Sequence, residues 1–73
     1  MRVKVANRLY DTPRQQYEGL LKIASAQVPF GIYAVEKDGY AELMNIKVSS
    51  TTQLKKQVRS YKAQGFKVYS NWR

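Results

Sequence analysis

Near the middle of the chain, Asp38-Gly39 separates two runs rich in strand-forming residues, 30–37 (FGIYAVEK) and 40–48 (YAELMNIKV). An Asp-Gly pair readily takes the two left-handed conformations of a tight hairpin turn, so these runs are expected to pair antiparallel. Every other segment must be arranged around that hairpin.

Ahead of it, Asp11-Thr12-Pro13 opens a helix predicted over 13–27. Thr12 is the expected cap, Pro13 suits the first helical position, and Gln15 completes a capping-box spacing. Tyr17, Leu20, Leu21 and Ala24 recur at i, i+3, i+4 and i+7, which makes one buried stripe. Gly19 weakens this helix by about 1 kcal/mol relative to alanine. Pro29 requires it to end near Gln27. Residues 2–10 alternate, with Val3, Val5 and Leu9 on one parity and Arg2, Lys4 and Arg8 on the other. They read as one half-buried strand in which Asn7 interrupts the apolar set.

Beyond the hairpin, Ser50 and Gln53 stand at capping-box spacing before a second helix over 51–64. Leu54, Val58 and Tyr61 form its stripe, and Gly65 suits a left-handed stop. Residues 66–72 (FKVYSNW) alternate as a last strand, with Trp72 on the inward parity and expected to be partly buried. The order β-α-β-β-α-β predicts one α+β domain over 1–73 with the ferredoxin-like split βαβ arrangement. That is a four-stranded antiparallel sheet, ordered 4-1-3-2, with both helices on one face. An internal echo supports two related halves: Val3-Lys4-Val5 matches Ile46-Lys47-Val48, and the Ala-Gln that precedes Phe30-x-Ile32-Tyr33 recurs before Phe66-x-Val68-Tyr69.

Charge is segregated along this pattern. Residues 1–10 carry Arg2, Lys4 and Arg8 and no acid, a charge of +3. Residues 43–73 carry Lys47, Lys55, Lys56, Arg59, Lys62, Lys67 and Arg73 and no acid, a charge of +7. All five acids lie between, where the balance is −2. In the 4-1-3-2 order the two basic ends would meet. The open sheet face would then show Arg2, Lys4 and Arg8 on strand 1, Tyr33 with Val35 on strand 2, Leu43, Asn45 and Lys47 on strand 3, and Lys67, Tyr69 and Asn71 on strand 4. Lysines there would neutralise phosphates, Tyr33 and Tyr69 would stack bases, and the asparagines would read base edges. The expectation is a small basic protein that binds single-stranded RNA or DNA on that face.

A second basic element competes. Lys55, Arg59 and Lys62 follow at i, i+4 and i+7 on the second helix, with Lys56 beside them and no acid at i±4. It suits a phosphate backbone or an acidic protein. The alternative function is therefore a small protein-binding modulator or adaptor, of the kind a phage or mobile element carries, acting through an edge strand or this helix.

The predicted sheet with two helices on one side resembles the RNA-recognition motif family, which binds single strands across its sheet. That family's aromatics fall on strands 1 and 3. Here Lys4 stands where the first is expected, and strand 3 offers Tyr40 but Glu42 at the other position.

Catalysis is not expected. The chain has no histidine or cysteine to act as base, nucleophile or thiolate ligand, no glycine-rich phosphate loop and no paired acids. No metal or cofactor is expected either. Absent cysteines fit a reducing cytoplasm. The polar, alternating start is not that of a signal peptide, and no apolar run approaches the ~20 residues of a membrane span. The expected state is a monomer or homodimer.

Overall fold

The central hairpin closes as its turn dictates, with Asp38 at φ 49° and Gly39 at φ 76°. A computed structural model describes residues 1–73. Its elements are β1 (Arg2–Val5), β2 (Arg8–Asp11), α1 (Arg14–Gln27), β3 (Phe30–Lys37), β4 (Tyr40–Lys47), α2 (Thr51–Ala63) and β5 (Lys67–Trp72). They form a mixed α+β fold of two helices and one five-stranded sheet, ordered β2-β1-β4-β3-β5. β1 runs parallel to β4, and every other neighbouring pair is antiparallel.

The four-stranded, ferredoxin-like expectation is corrected, and the cause is local. Ala6 at φ 50° and Asn7 at φ 68° form a second left-handed pair, which folds the expected first strand into a hairpin. The Met1 and Thr12 backbones clamp its open end through two N–H···O bonds of 2.8 and 3.0 Å. β2 thereby fills the edge of β1 that the last strand was expected to take. The outer edge of β3 is what remains, and β5 pairs there.

This exchange also moves a helix. The connections β2-α1-β3 and β4-α2-β5 now cross the sheet in the same direction, but from strands that point opposite ways. Right-handed crossovers then place the helices on opposite faces rather than together. Contacts agree. Asn71 of β5 donates to the Ser25 and Val28 carbonyls at the end of α1, while the adjacent Ser70 lines a groove with Leu54 and Val58 of α2. Adjacent strand residues face opposite sides, so the sheet lies between α1 and α2.

The α1 face holds the tighter packing. Val3, Tyr17 and Ala41 are fully buried, with Leu20, Leu21 and Leu43 against them. On the α2 side, Ile32 and Val35 are buried in the sheet, but no residue of α2 itself is; Leu54, Val58 and Tyr61 are half-buried. A bulge between Ile32 and Ala34 lets the central strand serve both layers. Ile32 pairs with Ser70 and Val35 with Val68 on the α2 side, while Ala34 pairs with Tyr69 and Glu36 with Lys67 on the α1 side. Phe30, Ile32 and Val68 thus share one face and Tyr33 lies opposite them with Tyr69, but Val35, expected beside Tyr33, turns to the α2 side.

Local caps divide. Ser50 Oγ accepts from the Gln53 N–H at 3.2 Å, and Gln53 Oε1 accepts from the Ser49 N–H at 2.9 Å. The reciprocal cap thus reaches back one residue further than the usual box. Thr12 does not cap α1: Pro13 holds that position without a side-chain bond, and Thr12 is buried against the hairpin end. Gly65 ends α2 at φ 89°.

Candidate nucleic-acid interface

The topology separates the basic ends of the chain. β1 and β5 are three strand spacings apart, about 14 Å. No open sheet face carries all the expected residues. Arg2 and Lys4 lie on β1 on the face α2 covers, and Lys4 is engaged by Glu42 at 3.8 Å. Arg8 sits on the edge strand β2 opposite Val5, on the other face. Asn45 is exposed in the bulged part of β4, and Lys47 is exposed at its end, opposite Gly31.

β5 places Lys67, Tyr69 and Asn71 on the α1 face. Tyr33 and Tyr69 do meet, with ring centroids 6.0 Å apart, and the Lys67 ammonium lies 5.0 Å from the Tyr69 ring. Asn71 is not free to read a base. Its amide is spent on the Ser25 and Val28 carbonyls, both at 3.1 Å, and on Ser25 Oγ at 2.9 Å. Beneath this group, the Tyr17 hydroxyl is buried close to the Glu36 carboxylate, with neither Tyr17 Oη nor Glu36 Oε1 in a hydrogen bond of good geometry. Burial, then the negative charge of Glu36, pushes the Tyr17 hydroxyl well above its ordinary value of 10.0. The Tyr17 hydroxyl and Glu36 Oε1 face no solvent, and it is the Asn71 amide that ties β5 to the end of α1.

The second basic set is brought together. Lys55, Lys56, Arg59 and Lys62 are all exposed along α2. Lys55, Arg59 and Lys62 rim an open groove of ≈ 420 Å³ whose floor is Leu54 and Val58 and whose far wall is Ser70. Lys55, Lys56 and Arg59 share the neighbouring hollow with Thr52. The molecule's two ion pairs, Met1–Asp11 and Lys4–Glu42, lie elsewhere, so no carboxylate neutralises this groove. From Lys55 to Lys62 the helix rises about 10 Å, so the three cations present a line rather than a point.

At the end of the sheet beside the start of α2, Phe30 and Trp72 pair across β3 and β5. Their rings meet edge to face, with centroids 5.0 Å apart. Trp72 shares the face of Ser70, but α2 does not reach over it, and it stays 45% exposed with Phe30 at 41%. Sequence parity gives the side they point to. What parity misses is that the helix stops short of them. Lys47 lies beside Phe30 in a small hollow, and Arg73 follows Trp72 with its guanidinium on Ser25 Oγ at 2.9 Å.

No helix of the molecule is long and apolar enough to cross a membrane. Compared with protein-family models, curated proteins and solved structures, the chain matches none of them.

Proposed function

We propose that this protein is a nucleic-acid-binding protein whose site is the groove between α2 and β5, with Lys55, Lys56, Arg59 and Lys62 on the phosphates. One observation carries the reading: these four exposed cations line up on one helix without a single carboxylate partner, in a stretch of chain that contains no acid. Unpaired cations in a row favour a ligand with regularly repeated negative charge, which a nucleic-acid backbone supplies. The sheet-face site expected from the sequence is replaced by this one, because its members lie on different faces and edges.

The test is an anisotropy titration of a labelled oligonucleotide at several salt concentrations between about 50 and 200 mM. Four phosphate contacts to a single strand would give a slope of log K against log salt near about −3. Absence of binding at low salt would remove the reading.

A second reading has its own observation. β5 pairs only with β3, so its outer edge is unpaired and adjoins the same cations. An acidic segment of another protein added there as a strand would also satisfy the charge. It predicts slowed exchange of the β5 backbone amides on binding, whereas phosphate binding along α2 leaves them unchanged.

A further inference from the structure

We propose that the Phe30–Trp72 pair is the base-stacking platform of the site, and that the protein therefore takes single strands in preference to duplex. The inference rests on the nucleic-acid reading and adds to it the class of nucleic acid bound. A phosphate-binding line alone does not distinguish strands from duplexes. An exposed aromatic face next to that line does, because only unpaired bases can leave their own stack to cover it.

Three observations converge on these two rings. They are among the largest apolar side chains left open to solvent, and they sit together rather than scattered. They lie on the α2 side of the sheet, where Trp72 is one alternation along β5 from Ser70 in the groove wall. Cations flank them: the α2 groove lies on one side and Lys47 beside Phe30. A strand whose phosphates follow Lys62, Arg59 and Lys55 toward the start of α2 would deliver a base to that ring face. The edge-to-face contact with Phe30 holds the indole in place, so little side-chain freedom is lost when a base stacks on it. Tyr33 and Tyr69, the platform expected from sequence, lie on the α1 face and away from this cation line.

Trp72 is the only tryptophan, so its fluorescence reports on this site alone. The probes are a thymidine oligonucleotide, an abasic strand of equal length and a duplex of equal length. The thymidine strand is expected to quench the fluorescence and to bind about tenfold tighter than the abasic strand. By anisotropy, Trp72→Leu should bring thymidine binding down to the abasic level with an unchanged salt slope. Trp72→Phe should keep most of the affinity. Urea melts of both variants establish that they fold. Equal binding of all three probes, without quenching and without an effect of Trp72→Leu, would overturn the platform while leaving the phosphate site standing. No binding of any probe would overturn both.

Discussion

A Cβ placed on Gly31 would collide with the Ile46 carbonyl of β4, and the residue's φ of 151° lies where side chains are rarely tolerated. Both neighbours are strands, so the obstacle is backbone and cannot step aside. Gly31→Ala is expected to cost about 3 kcal/mol or more, read from the urea midpoint. Tyr17 makes the opposite case. Its ring is fully buried, but its hydroxyl meets Glu36 without a well-formed hydrogen bond. Removing that oxygen leaves the packing and takes away a poorly satisfied polar atom, so Tyr17→Phe should change neutral-pH stability by less than about 1 kcal/mol. At high pH the two proteins should diverge. The folded state holds the Tyr17 hydroxyl protonated above the value of 10.0 at which the unfolded chain releases it. Above pH 10.0 the unfolded state therefore binds fewer protons, and the stability Tyr17 contributes below that pH declines. Urea melts between neutral pH and about pH 11 should show a steeper fall for the wild type than for Tyr17→Phe. Parallel curves would contradict the assignment.

Among the elements, α2 is held least firmly, because none of its residues is buried while α1 buries Tyr17 and Ala24. Amide exchange should be faster along α2 than along α1. Val58→Ala should cost about 1 kcal/mol, whereas Val3→Ala, at the centre of the α1 layer, should cost about 2–3 kcal/mol. The β1–β2 turn is strained at Ala6, which adopts φ 50° without the side-chain oxygen or missing Cβ that eases that conformation. Replacing the pair by Ala6→Asn with Asn7→Gly should raise stability by about 1 kcal/mol, measured by thermal melting. Much of the element pattern was legible in the sequence, since it rests on local chemistry: the Asp38-Gly39 reversal, the Ser50 cap with its Gln53 partner, and the Gly65 stop each follow from the residue itself. Ala6-Asn7 was not legible in that way. Alanine disfavours the left-handed turn, and only the pairing of β2 along β1 compensates for it. Asn7, which breaks the alternation, was the one local sign.

At the scale of the whole molecule, that unread turn redirects the fold. It gives one edge of β1 to β2, sends β5 to β3 and puts α2 on the face opposite α1. The Tyr33 bulge then shifts the strand parity on which the open-face site depended. The basic ends therefore stand apart, and of the seven cations in the acid-free residues 43–73 four concentrate along α2. The helical cation line was legible as spacing, because i, i+4 and i+7 lie on one side of any helix. Its pairing with Ser70, and its nearness to Phe30 and Trp72, required the topology. The most direct test compares two double charge reversals in one oligonucleotide titration at low salt. Lys55→Glu with Arg59→Glu alters the α2 groove, and Arg2→Glu with Arg8→Glu alters the other end of the sheet; both pairs are solvent-exposed, and both change the net charge equally. A site on α2 predicts that the first pair abolishes binding and the second weakens it by no more than about threefold through the loss of overall charge. Equal losses from both pairs, or a larger loss from the second, would contradict it.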